Sequence, residues 1–238
     1  MKEEHFFYDP RGDGELPRQE AHHAVRVLRL GAGDEIRLMD GRGTFYRAVI
    51  TAATGHRCLY RKVEAEPQQR AWQGHLHLAM APTKMMDRVE WLAEKATEIG
   101  FDELSFLECH NSERRVMREE RIAGILVSAM KQSRKAWLPT LNGMQRFGEF
   151  VCRRREGDKF ICHCQREGMP LLFDLLETGV PATVLIGPEG DFSTDEVKLA
   201  QEHGYRSVSL GRSRLRTETA ALVAVHMMQL KNGIEIRE

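Results

Sequence analysis

Two stretches near the carboxyl end each run from apolar residues through a glycine turn straight into a helix start. The first is Leu185-Ile186-Gly187-Pro188-Glu189-Gly190-Asp191-Phe192-Ser193. The second is Leu210-Gly211-Arg212-Ser213-Arg214-Leu215-Arg216-Thr217-Glu218-Thr219-Ala220. Glycine takes backbone angles that other residues avoid and proline stiffens the chain, so such runs suit tight strand-to-helix turns. Two of them near one sheet edge can surround a small ligand with backbone N–H and C=O groups. Arg212, Arg214 and Arg216 crowd just before the second helix start, where the macrodipole disfavours cations. An anion or carboxylate compensating them would be functional; a solvated basic loop is the plainer alternative.

These turns belong to a longer rhythm that begins at His75. Apolar runs at residues 75–81, 104–107, 159–164, 183–186 and 207–210 predict strands. Met85, Val89, Leu92, Ala96 and Ile99 repeat at helical spacing, with Gly100 placed to close that helix, and residues 118–135 predict a second long helix. Ser193 and Glu196 form a capping box for a helix that Gly204 can close. Thr217 is placed to cap a last helix, which Asn232-Gly233 ends. Strands alternating with helices predict an α/β domain with a parallel sheet.

Residues 1–66 read differently. Period-two runs at 35–39, 44–51 and 57–63, separated by turns such as Asp40-Gly41-Arg42-Gly43, predict a small β barrel or sandwich. One helix over 18–30 has an apolar stripe of Ala21, Val25 and Leu28. His22, Arg26 and Arg29 fall at i, i+4 and i+7 on another face. Polar, aperiodic residues follow from 64 to 74. The expected organisation is a domain at 1–66, a linker at 67–74 and a domain at 75–238.

No apolar run reaches the ~18 residues of a membrane span. The amino terminus, Met1-Lys2-Glu3-Glu4-His5, is charged where a signal peptide is apolar, so a cytoplasmic protein without membrane contact is expected. The 35 Lys plus Arg balance 35 Asp plus Glu, which excludes a generically basic nucleic-acid binder. A nucleic-acid partner therefore requires positive charge gathered on one face. Cys162 and Cys164, two apart in a strand-like run, share a face at ~6.6 Å and are poorly placed for a disulfide. Neither they nor His75 and His77 have a matching ligand cluster, so no metal is expected. Dinucleotide and Walker fingerprints are absent.

Gly187-Pro188-Glu189-Gly190, Leu210-Gly211 and the run from Leu215 to Ala220 resemble the ribosomal RNA small-subunit methyltransferase E family. The similarity extends in order to His22-His23-Ala24-Val25-Arg26-Val27-Leu28-Arg29, to the helix from Glu90 to Gly100, and to Gln132-Ser133. This resemblance implies a SPOUT-class, trefoil-knotted parallel-sheet domain preceded by a small PUA-like β-barrel. It further implies methylation of uridine N3 in 16S ribosomal RNA of the small subunit by S-adenosylmethionine, and a homodimer with RNA across the junction of both domains. The cofactor is expected on Cys164, Ile186, Gly187, Pro188, Gly190, Leu210, Gly211, Leu215 and Thr217. Asp191 departs from the family, which usually has a second glycine there. Ser213 and Arg214 replace arginine and isoleucine, and Lys131 and Lys135 replace glutamate and arginine.

Neutral uracil N3 is a poor nucleophile, so such a site needs a base for the N3 proton, a cation for charge on O2 or O4, or both. Arg216 is assigned the cation role. Glu218 is favoured as base, with Glu189 as competitor. Each carboxylate also has a plain reading, Glu218 as a first-turn helix charge and Glu189 as a turn residue bonding nearby amides. Arg11, Arg26 and Arg29, with His22, and Lys84 from the second domain are the expected RNA contacts. Three alternatives stand beside this reading: a transfer-RNA substrate, an RNA-binding assembly protein without catalysis, and another kind of nucleotide-binding α/β protein.

Overall fold

The computed structural model describes residues 4–165 and 168–233. Contacts divide them into two units, one of residues 4–70 with Met130–Leu138, the other of Ala71–Ala129 with 139–233.

The first unit carries β1 (Phe6–Tyr8), α1 (Arg18–His22), a π-helical turn (His23–Val27), β2 (Glu35–Met39), β3 (Thr44–Thr54) and β4 (Arg57–Pro67). The strands form one sheet in the order β1-β2-β3-β4, parallel between β1 and β2 and antiparallel elsewhere. Gly55, at φ 55°, lets β3 reverse into β4 within two residues. Phe7, Leu16, Ala21, Ala24, Ile36, Leu38, Ile50 and Tyr60 share the core. Tyr60 donates to Asp9 Oδ2 at 2.6 Å, and Asp9 Oδ1 accepts the N–H groups of Arg11 and Gly12. Residues 130–138 join this unit through Gly43 N–H to Ala136 O, 2.9 Å, and Leu138 N–H to Gly41 O, 2.9 Å.

Two expectations change here. The helix expected over 18–30 is a five-residue α-helix followed by the π turn, and Leu30 N–H reaches Ala24 O beyond it. Wider π winding breaks the i, i+4, i+7 spacing, and Arg29 lies past the helix at φ 55°. His22, Arg26 and Arg29 therefore do not form a single α-helical face. In addition, β4 continues through Pro67, so the polar residues from Glu64 are strand: they pair with β3, where Arg47 opposes Glu64.

The second unit holds β5 (Leu76–Met80), α2 (Met86–Ile99), β6 (Glu103–Glu108), α3 (Glu119–Gln132, its end within the first unit), β7 (Thr140–Arg146), α4 (Phe147–Cys152), β8 (Asp158–Cys162), α5 (Leu172–Leu175), β9 (Ala182–Ile186), α6 (Thr194–Glu202), β10 (Arg206–Val208) and α7 (Thr217–Asn232). Its sheet is parallel throughout, in the order β10-β8-β9-β5-β6-β7. Every residue of β5 and β9 is buried, as expected where helices cover both faces. α2 and α7 pack together, with α7 also on β5 and β9, while α4 packs with α6. Phe147, Phe150, Ile161, Leu185, Phe192, Val197 and Tyr205 fill the α4–α6 side. From β5 the chain steps outward to β6 and β7, then returns to the other side, where β9 inserts between β8 and β5. That reversal places the carboxyl ends of β8, β9 and β10 beside one another, where open α/β sheets hold ligands.

Ser193 and Glu196 form the expected capping box of α6. Thr217, in contrast, is the first residue of α7 rather than its cap. The cap position is held by Arg216, whose side chain makes no capping bond. β8 ends at Cys162, so Cys164 lies beyond the strand, and all five cysteines are free. No helix among the described residues is long and apolar enough to cross a membrane.

Candidate active site

A cleft of about 1400 Å³ opens at the carboxyl ends of β8, β9 and β10, bounded by the start of α7. Its walls are the two glycine turns and the loop after β8. At the first turn a Cβ on Gly187 would sit 3.1 Å from the Phe192 ring, which admits only glycine without adjustment. Glu189 Oε1 accepts the Lys84 N–H at 2.9 Å, tying this turn to the one after β5. Asn111 Nδ2 donates to the carbonyls of Gly190 and Asp191, each at 3.1 Å. At the second turn Gly211 adopts φ 121°, and its N–H donates to Ser209 Oγ at 3.1 Å. Arg212, Arg214 and Arg216 then follow, exposed, along the cleft.

α7 begins inside this site without a side-chain cap, so its first turn presents N–H groups and the positive end of its dipole. Glu218 follows at only 7% exposure. Its Oε1 lies 3.7 Å from Arg88 Nη1, while Oε2 is buried without a hydrogen-bond partner among the described residues. On the loop after β8, burial pushes the Cys162 thiol pKa up and holds the His163 imidazole pKa below its ordinary value. His163 Nε2 lies 2.9 Å from Ser207 Oγ, and Nδ1 accepts the Gln165 N–H at 3.2 Å.

The cleft gathers Arg216, Glu218 and Glu189 with Cys164, Ile186, Gly187, Pro188, Gly190, Leu210, Gly211, Leu215 and Thr217. Of the expected RNA contacts, Arg11, His22, Arg26 and Arg29 are exposed on the first unit. His22 stacks on His56 with centroids 5.9 Å apart, and Arg11 pairs with Asp13 at 3.6 Å. Lys84, on the second unit, pairs through Nζ with Glu113 at 2.9 Å. Sequence reasoning missed Arg88 and Asn111. Arg88 belongs to α2, distant in sequence from the turns, and no local spacing connects it with Glu218. Lys131 pairs with Glu20 at 2.7 Å within the first unit and does not line the cleft. Among the described residues no group of three or more His, Cys, Asp or Glu could hold a metal. His75 lies 2.9 Å from Glu103, and His77 lies 2.8 Å from Ser105 Oγ.

Comparison with known proteins places this architecture. The RNA methyltransferase domain family matches residues 70–229, and the RNA methyltransferase PUA domain family matches residues 16–61. Ribosomal RNA small subunit methyltransferase E of Synechocystis sp. is 31% identical over 220 residues, covering 88% of this chain and 70% of that protein. A probable rRNA-methyltransferase from Porphyromonas gingivalis superposes with TM-score 0.88 at 42% identity, over 94% of this chain and 98% of that one. Ribosomal RNA small subunit methyltransferase E from Neisseria gonorrhoeae, bound to S-adenosyl methionine, gives TM-score 0.86 at 26% identity, over 96% and 98%. With a helix-flanked parallel sheet, an open cleft at its strand ends and matches over both units, the chain belongs to the ribosomal RNA small subunit methyltransferase E family of RNA methyltransferases.

Proposed function

We propose that this protein methylates N3 of a uridine in 16S ribosomal RNA of the small subunit, using S-adenosylmethionine held in the β8–β9–β10 cleft. The observation that carries the reading is Glu218: a nearly buried carboxylate with one oxygen that has no partner among the described residues, in a cleft that Arg216 also lines. The cleft suits the cofactor. Ile186, Val208, Leu210 and Leu215 offer apolar surface to an adenosine and a thioether, and Gly211 leaves open space where a side chain would project. When bound, the cofactor supplies an electrophilic methyl group, so alignment with the acceptor provides much of the rate.

The protein's residues then have separable tasks. The turns at 186–190 and 210–215, with Cys164, hold the cofactor largely through backbone. The Glu218 carboxylate takes the N3 proton, which frees N3 to accept the methyl group. Arg216 donates to O2 or O4, where charge develops. Glu189 is the weaker base candidate, because it already accepts the Lys84 amide. Arg11, His22, Arg26, Arg29 and Lys84 contact phosphates of an unpaired segment, since pairing hides N3.

The same reading includes a trefoil knot around the cleft, a PUA-like barrel in the first unit and a catalytic domain in the second, with the expected boundaries of 1–66, 67–74 and 75–238 adjusted for β4 reaching Pro67 and for residues 130–138 joining the first unit. It also includes a cytoplasmic location and a homodimer. For the dimer, α7 has an outward row of Leu222, Val223, Met227 and Leu230 opposite its packed face, with Leu230 59% exposed. A second copy would cover that row. Mass mapping of ribosomal RNA from a strain lacking this protein, before and after complementation, tests the function. One missing N3-methyluridine in 16S RNA, restored by the gene, is the expected result. A methyl group missing from transfer RNA instead would transfer the reading to that substrate.

A further inference from the structure

Resting on the cofactor reading above, we infer that Asp191 is a positioning residue whose carboxylate fastens two walls of the cleft together. The position sits at φ 63°, in the left-handed region where glycine is at ease and where Asp is among the few side chains tolerated. Glycine, the family's usual residue there, would satisfy the backbone and nothing more. Asp191 adds two bonds: Oδ2 accepts the Cys164 N–H at 2.8 Å, and Oδ1 accepts the Phe192 N–H at 2.8 Å.

The first of these bonds spans two different strands' exits. Cys164 lies on the loop leaving β8, and Asp191 on the turn leaving β9; both line the cleft. Gln165 Nε2 donates to the Phe192 carbonyl and supplies a second, neutral tie between the same segments. The turn is itself secured: Asp191 N–H donates to Pro188 O at 2.9 Å, and Asn111 holds the Asp191 carbonyl. The β8 loop therefore hangs from an anchored carboxylate, and an amide bonded to a carboxylate is held more strongly than by a neutral acceptor. The family departure at this position thus has a structural function: it prearranges the loop that carries Cys164 and His163 along the cofactor site.

Asp191→Gly removes the carboxylate without straining the backbone, so the protein should fold, with a small fall in Tm from the two lost bonds. The expected result is S-adenosylmethionine binding weakened about tenfold by calorimetry, with KM for the cofactor rising in parallel and kcat at saturation nearly unchanged. Asp191→Asn, which tolerates the same backbone and keeps one acceptor oxygen, should recover part of the affinity. In cofactor-free protein, the Cys164 amide should exchange hydrogen faster in Asp191→Gly than in wild type. That measurement needs no cofactor: if wild type fails to bind S-adenosylmethionine, the cofactor reading falls while the fastening is still tested. Unaltered Cys164 exchange in Asp191→Gly overturns the fastening. Faster exchange with unchanged affinity, or a loss confined to kcat, overturns its positioning role.

Discussion

At Glu218 the two carboxylate oxygens have different surroundings, Oε1 toward Arg88 and Oε2 without a hydrogen-bond partner among the described residues. Glu218→Gln keeps the shape and loses the basic oxygen. Its kcat should fall by about 10² to 10⁴ while cofactor affinity changes little; near-wild-type turnover would transfer the proton to another group. Arg216→Ala should likewise cut kcat by about 10² or more without weakening cofactor binding, measured in single turnover with excess enzyme. A third residue-scale expectation concerns His77, 2% exposed and facing Glu103, His75 and Arg155. Burial pushes its pKa down to about 3. The unfolded chain binds the proton near pH 6.5 and the folded protein does not, so this contribution is complete above 6.5 and is lost as pH falls. The slope is at most about 1.4 kcal/mol per pH unit for one proton. Urea titrations at pH 7 and 5 should show a smaller acid loss in His77→Gln than in wild type.

At the scale of elements, the capping box illustrates what a local pattern can reveal. Ser193→Ala should cost about 1 kcal/mol by denaturant midpoint, because Glu196 N–H would lose the Ser193 Oγ acceptor. Ser193 and Glu196 are three residues apart, and their geometry follows from spacing. The same holds for α2, whose apolar repeat matches the helix at Met86–Ile99. β7 gave no such signal: Thr140–Arg146 is a half-buried edge strand without alternation. β1 and α5 span only three and four residues, too short for periodicity to register. The π turn after α1 was hidden for a different reason, since helical spacing in sequence does not reveal one added residue per turn. In the cleft, the glycine turns were visible because their backbone demands leave a compositional trace. Arg88 and Asn111 were not, because they reach the site through sheet order and not through neighbouring sequence.

For the whole molecule, zero formal net charge means that RNA affinity has to come from local arrangement. Substituting Arg26 and Arg29 together should weaken RNA binding and flatten the dependence of log K on log salt, measured by filter binding at several salt concentrations. An unchanged slope would remove these residues from the RNA surface. Leu230→Glu should convert a dimer to monomers in sedimentation velocity, whereas wild type sedimenting as a monomer would remove the dimer.

The insertion of β9 between β5 and β8 also has a consequence for synthesis. Leu76 must find Ala182 and Phe160 must find Val184 before the central sheet closes, so part of the pairing spans over a hundred residues of chain. Contacts of such separation form slowly. Apart from Arg88, every described residue lining the cleft lies at or after Cys162, so during synthesis the cleft is among the last parts of the fold to acquire its walls. A chain that stops short of β8 therefore carries only Arg88 of those walls.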